Sequence, residues 1–419
     1  MPRPGAWELR ALFALLPEPA APGAGRLLTA RSLRGFADGF VSVLLASYLN
    51  GLGFSAVQVG AVVTSTLLGS AALTLAVGLL SNRLAPVRVL FGAAALMFAT
   101  GLGFFAVTAF WPLLVVAFAG TLNPSAGDVS VFLPVEQALL SERVGARERT
   151  AMFARYNLGG AFAGALGALA SALPILLARA NGWDRTGAER AGFVVYAAIA
   201  VVIAVTYLGL REHASREARP RRSGVLTTSR GVVLRLAALF SLDSFGGGFA
   251  VQSLLVLWLF RRFDLSTATA ATIFFAAGLL SAFSQLASSW LAWRIGLIQT
   301  MVFTHLPSNA FLILAGIMPT APLAVLFLLL RMSLSQMDVP ARQSFVMSVV
   351  PPEERAAAAS VTNVPRSLAA AVAPLVAGAM LSFSSFGWPL VCAGVIKIVY
   401  DLLLLRGFRS MHMPERNTD

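Results

Sequence analysis

Seven stretches of 20 or more residues carry no Asp, Glu, Lys or Arg: 39–82, 89–127, 156–178, 191–210, 265–293, 295–330 and 367–396. A helix that crosses the hydrocarbon core of a bilayer needs about 20 apolar residues. Helices and closed barrels are the two structures that satisfy every backbone group in lipid, and runs this long are helical. Dividing the chain at Gly, Pro and charged breaks gives twelve segments. They are 33–52, 55–80, 87–108, 111–140, 150–178 and 191–210, then 232–260, 268–293, 297–318, 320–346, 354–382 and 385–405. The fold class expected is therefore an all-α membrane protein of twelve transmembrane helices in two pseudo-symmetric six-helix bundles.

Composition closes off the alternatives. Only 12% of residues are charged and the mean hydropathy is +0.77, against about a quarter charged in soluble domains. A disordered chain needs low hydrophobicity with high charge, so that class is excluded too. The net charge of +13 reads as topology rather than as a nucleic-acid footprint. Placing residue 1 on the cytoplasmic side puts 22 Arg in inner segments against 5 (Arg179, Arg185, Arg190, Arg261, Arg262) in outer loops. Cytoplasmic loops carry the excess of basic residues, which sets both termini inside. The basic run 211–235 becomes a linker, touching anionic headgroups, between units at 31–210 and 232–405. Residues 1–30 and 406–419 are cytoplasmic tails; the apolar run 7–16 reads as an interfacial or tail segment, not a secretory signal. The lone Cys392 excludes an intrachain disulfide.

The two units repeat. Pro134, Gln137, Arg149 and Asn157 recur as Pro340, Gln343, Arg355 and Asn363 at an offset of 206, and Asp38-Gly39-Phe40 recurs as Asp243-Ser244-Phe245 at 205. Arg83 answers Arg294. A twelve-helix chain in two halves with a basic central loop resembles the major facilitator superfamily across 31–405. The stretch from Gly78 through Asn82, Arg83 and Arg88 is similar to that family's inner-loop signature, with Asn82 and Ala85 where the pattern has Asp and Gly. The turns at 142–149 and 351–356 resemble its acidic-then-Arg connections. Gly160, Gly164 and Gly167 partly resemble the proton antiporters' fifth-helix signature, without its Pro.

The resemblance implies that helices one, four, seven and ten line a central cavity. Asp38, Asp128, Asp243 and Asp338 fall one in each, and intramembrane carboxylates are functional candidates by default. Asp38 has Arg34 at i−4 and Asp338 has Arg342 at i+4, spacings that allow local ion pairs. Asp128 and Asp243 have no opposite charge within a turn and are the leading proton carriers. Asn123 and Pro124 break the fourth helix beside Asp128. Gly246, Gly247 and Gly248 follow Asp243 and read either as a helix break that exposes backbone groups to a ligand or as close packing. Arg331 is expected to pair with Asp128 or Asp243, or to hold a substrate anion. Asn82, Arg83, Glu136, Arg149, Arg294, Arg342 and Arg355 form an expected inner gate. Arg155 and Arg366 read as gate or packing residues, Lys397 and Asp401 as a local i,i+4 pair, and His305 as hydrogen-bonded within the bundle.

No phosphate-binding Gly-Lys-Ser loop, metal cluster or cofactor motif is legible. The chain is expected not to be an enzyme and to use no cofactor. The expected function is secondary active transport of a small solute by alternating access, proton-coupled and favoured as an exporter. Its expected partners are solute, protons and lipid, without nucleic acid, and it works as a monomer in a bacterial inner membrane. The alternatives are proton-coupled uptake of an anionic metabolite, a divalent-metal carrier, and a non-transporting receptor or scramblase.

Overall fold

The computed structural model describes residues 23–80, 84–124, 130–143, 149–210, 228–351 and 354–408. They form sixteen helices. The first half contains α1 (Ala24–Gly51), α2 (Ala56–Leu80), α3 (Pro86–Ala106), α4 (Phe110–Ala119), α5 (Phe132–Glu142), α6 (Arg149–Ala170), α7 (Leu173–Asn181) and α8 (Arg185–Leu208). The second contains α9 (Arg230–Gly248), α10 (Gln252–Phe263), α11 (Thr267–Ile295), α12 (Leu297–Ile317), α13 (Ala321–Met332), α14 (Asp338–Ser348), α15 (Arg355–Phe383) and α16 (Trp388–Phe408). Sixteen helices make twelve spans because four spans come in two pieces: α4/α5, α6/α7, α9/α10 and α13/α14. Among the described residues nine spans are long and apolar enough to cross a bilayer outright. The remaining three are α1, whose polar residues lower its hydropathy, and the broken fourth and tenth.

Four spans are thus interrupted. The fourth breaks at Asn123 and Pro124 as expected, and the seventh after Gly246, Gly247 and Gly248, one of the two readings of those glycines. The fifth and tenth break where the sequence reads as continuous. Proline accounts for the break in the fifth, where Pro174 opens α7 at a position at which a missing N–H is harmless. The interruption at 333–337 lies in the tenth span at the repeat-equivalent position of the one in the fourth. Starts and stops use ordinary chemistry elsewhere. Asp184 caps α8 by accepting the Gly187 N–H, and Ser266 caps α11 by accepting the Thr269 N–H. The acidic turn at Glu354 caps a different helix from its own. Its carboxylate accepts the Thr228 and Ser229 N–H groups at 2.9 and 3.1 Å, at the start of α9.

Each half packs by close backbone approach. A Cβ placed on Gly39 would lie 1.9 Å from the Gly164 carbonyl oxygen, and one on Gly35 2.3 Å from that of Gly160. The α1–α6 pair is therefore built on small residues, as membrane helices commonly are. The glycines of the fifth span have this packing task. The same device joins the halves: Gly60 of α2 and Gly378 of α15 face each other, each within 2.5 Å of the opposing carbonyl if given a Cβ. We call the side bearing Ala24, Leu210, Thr228 and Phe408 the near face and the opposite side the far face. The described hydrogen bonds between halves lie from mid-bundle to the far face. There, residues 37–49 of α1 and 253–259 of α10 are buried on every side. The far face is closed.

Candidate functional site

The second half holds a buried ionic cluster at the middle of the bundle. Asp243 on α9 is 4% exposed. Lys397 of α16 donates to its Oδ1 at 2.5 Å and Arg342 of α14 to its Oδ2 at 3.1 Å. Arg342 also reaches Asp338, one turn earlier on its own helix, at 3.2 Å. His305 of α12 stands 3.8 Å from Asp243 and 2.9 Å from Asp401. Asn309 donates to the other Asp401 oxygen at 2.9 Å. A carboxylate only accepts, so Nδ1 of neutral His305 carries the proton toward Asp401. That leaves Nε2 to face the Lys397 ammonium at 3.5 Å. Gly246 makes the arrangement possible, since a Cβ there would sit 2.9 Å from Lys397 Cγ. It lies three residues after Asp243, on the same helix face.

The first half holds the counterpart with its charges exchanged. Glu136 on α5, repeat-equivalent to Arg342, is 0% exposed. It accepts from Arg34 of α1 at 2.8 Å, from Tyr207 of α8 at 2.5 Å and from Tyr156 of α6. Arg34 also donates to Tyr156 at 3.1 Å. In both halves the first and fourth helices of the repeat are joined by a buried ion pair, Arg34–Glu136 and Asp243–Arg342. Reversing the charge on the fourth helix moves the partner by one turn on the first. Asp38, one turn above Arg34, has the Asn123 side chain as its hydrogen-bond partner.

The interrupted helices meet between the halves. The Pro124 carbonyl, at the break of the fourth span, accepts from Ser253 N at 3.2 Å and from Ser253 Oγ at 3.0 Å. Ser253 lies in the first turn of α10, where helix N–H groups lack intrahelical partners. Its hydroxyl also donates to the Ser42 carbonyl of α1 at 2.6 Å. Gly246, Gly247 and Gly248 end α9 just before the 249–251 gap, so they serve both as helix break and as packing. A Cβ on Gly248 would meet the Ala370 carbonyl at 2.4 Å.

Several expectations change. Asp243 has no charge near it along its own helix, yet it is paired twice from other helices. Lys397 and Asp401 do not pair with each other; Lys397 turns to Asp243 and Asp401 to His305. Arg34 makes its ion pair with Glu136 instead of Asp38. Glu136 and Arg342 are bonded within their own halves. Arg331 makes no salt bridge to Asp243: its Nη1 contacts Met332 Sδ at 3.0 Å, while its buried Nε has no hydrogen-bond partner among the described residues. Arg294 stacks over Trp290 at 4.6 Å, and Arg366 donates to Ser244 at 2.8 Å. Arg149 and Arg355 open α6 and α15. Asp128, Asn82 and Arg83 lie outside the described residues. The site residue underrated by sequence was Lys397. Its signal was legible: it is the single Lys in a chain with 32 basic residues.

The sequence profile described as Major Facilitator Superfamily matches residues 27–364. An uncharacterized membrane protein of Saccharomyces cerevisiae, YJR124C, is 25% identical over 406 residues, covering 89% of this chain and 91% of the yeast protein. Among solved structures, the inward-open xylose transporter XylE from E. coli superposes with a TM-score of 0.71 at 13% identity, covering 94% of this chain and 98% of XylE. A bacterial homolog of the human lysosomal transporter Spinster, inward-facing and unoccupied, gives 0.71 at 14%, covering 92% and 96%. The nucleoside transporter NupG gives 0.67 at 15%, covering 93% and 99%. These structures share the fold.

Proposed function

Because the chain belongs to the major facilitator superfamily, we propose that it is a proton-coupled secondary transporter of a small solute, working by alternating access. One observation carries the coupling: the buried Asp243–Lys397 contact at 2.5 Å. An ammonium exchanges its proton when its surroundings change, whereas a guanidinium keeps its charge. At this position alone the chain uses Lys. With Asp243 ionised, α9 is held to α16 through Lys397 and to α14 through Arg342. A proton on Asp243 removes the charge that both cations require and releases the grip. His305 and Asp401, behind Lys397, offer a second place for the proton.

The excess of arginine in the inner segments supports a near face in the cytoplasm, and the proposed location is a bacterial inner membrane. Export by antiport is the favoured direction, because carboxylates on the cavity helices suit proton-for-cation exchange. The ion pairs of Asp243 and Asp338 weigh against those two as direct cation ligands. A monomer is the working unit.

The test is solute flux in proteoliposomes under an imposed pH gradient, with the solute chosen by a thermal-shift screen of the purified protein. Asp243→Asn is expected to lose gradient-driven flux while retaining solute counterflow. Unchanged gradient-driven flux in both Asp243→Asn and Asp128→Asn would sink the proton role. The unpartnered Nε of Arg331 favours a second reading, uptake of an anionic metabolite with a proton. It predicts that Arg331→Gln abolishes binding while the Asp variants still bind.

A further inference from the structure

Glu189 belongs to no motif and lies outside the cavity aspartates, one turn into α8 at the far face. It is 0% exposed. Its Oε1 accepts from Ser47 Oγ of α1 at 2.6 Å and from Arg185 Nε at 3.2 Å. The same Ser47 oxygen lies 2.8 Å from Thr267 Oγ1, at the start of α11 in the other half. Arg185 also spans the seam, with Nη2 at 3.3 Å from Ser47 and 3.4 Å from Thr267. The second oxygen of Glu189 is buried without a hydrogen-bond partner among the described residues. It stands at Gly51, where a Cβ would lie 3.3 Å away. Above the group the seam widens into a cleft of about 230 Å³ lined by Asn50, Arg179, Arg185, Arg261, Asp264 and Thr267. Below it lies the Ser253–Ser42 bond, five residues or about 7.5 Å along α1.

A buried carboxylate with one oxygen unsatisfied is an expensive way to stabilise a bundle. Its orientation explains its presence. With Glu189 accepting from Ser47, the Ser47 proton is committed, and the serine oxygen must accept from Thr267. This fixes both hydroxyls in one direction and ties α1 to α11. The bond exists only when the two halves meet at the far face. We infer that Ser47 and Thr267 form the far-side latch of the transport cycle and that Glu189 is its positioning residue. The inference uses the transporter reading, but neither the solute nor proton coupling.

The test reads the separation of the halves directly. Spin labels at Arg179→Cys and Thr269→Cys, in a Cys392→Ser background, flank the cleft from opposite halves, and pulsed EPR gives the distance distribution. The parent protein is expected to be dominated by the short distance. Ser47→Ala and Thr267→Val each remove the Ser47–Thr267 bond without touching a charge, and Thr267→Val also removes the Arg185–Thr267 contact. Each is expected to raise the long-to-short population ratio about tenfold, equivalent to 1.4 kcal/mol. Glu189→Ala follows them, whereas Glu189→Gln, which keeps an acceptor for Ser47, stays near the parent. Combining Ser47→Ala with Thr267→Val adds nothing beyond Thr267→Val alone. An unchanged distribution in both Ser47→Ala and Thr267→Val, each confirmed monodisperse by size exclusion, overturns the latch. If those two shift and Glu189→Ala does not, the positioning role is overturned. Because the readout needs no solute or pH gradient, its failure is distinct from failure of the coupling proposal.

Discussion

Removing either side of the Asp243–Lys397 contact should have unequal consequences. In Lys397→Met, Asp243 keeps Arg342 at 3.1 Å, and the Met stem still passes Gly246. The loss is one of two partners, about 1–3 kcal/mol. In Asp243→Asn the one amide oxygen turns to Arg342, which also keeps Asp338 at 3.2 Å, and the amide NH2 then faces Lys397, which retains only His305 Nε2 at 3.5 Å. A buried ammonium stranded in this way costs about 3–5 kcal/mol. In the double variant no ammonium is stranded, and the amide introduced on α9 still accepts from Arg342. Its total loss should therefore fall below that of Asp243→Asn alone, which requires a coupling energy larger than the Lys397→Met loss, about 3 kcal/mol. The assay is reversible unfolding of the four proteins in mixed micelles, with thermal melting as a check on rank. The expected order of stability is parent, Lys397→Met, double variant, Asp243→Asn. Additive losses, or Lys397→Met falling below Asp243→Asn, would refute the pairing on which the coupling argument stands.

Two other perturbations probe the frame around the site. Gly39→Ala puts a Cβ 1.9 Å from the Gly164 carbonyl oxygen, so α1 and α6 must separate. A loss at or above the usual 1–3 kcal/mol for overpacking, roughly 3 or more, is expected in melting experiments. Gly92→Ala, where nothing lies within 4 Å, should instead gain about 0.4–1 kcal/mol. Glu136→Gln leaves Arg34 buried without its counter-charge, and the one amide oxygen must serve Arg34, Tyr156 and Tyr207 in place of two carboxylate oxygens. It should cost about 3–5 kcal/mol in the same assay, with restoration toward parent stability in Arg34→Met/Glu136→Gln.

The sequence by itself determined that the chain lives in lipid, how many times it crosses, that its halves repeat, and which family it resembles. Each follows from local or periodic information: charge-free lengths set by bilayer thickness, arginine placement, and one spacing shared by Pro, Gln, Arg and Asn. It also placed acids on the first, seventh and tenth spans, because a charge inside a long apolar run stands out. Only the tertiary structure decided which charges meet. Asp243 looked unpaired along its own helix, and its cations come from α14 and α16, 99 and 154 residues away. Glu136 drew its partners from three other helices, and Glu189 lies between Arg185 and Arg190 of the outer loops, with nothing along the chain to mark it as buried. Ion pairs between helices depend on crossing geometry and side-chain direction, which periodicity does not encode. The interruptions in the helices were half legible. Asn123 and Pro124 announced one and Gly246, Gly247 and Gly248 suggested another, whereas the breaks at 171–172 and 333–337 became visible only with the backbone. That Pro124 O and Ser253 N meet across the halves is a property of the closed assembly, and no single segment contains it.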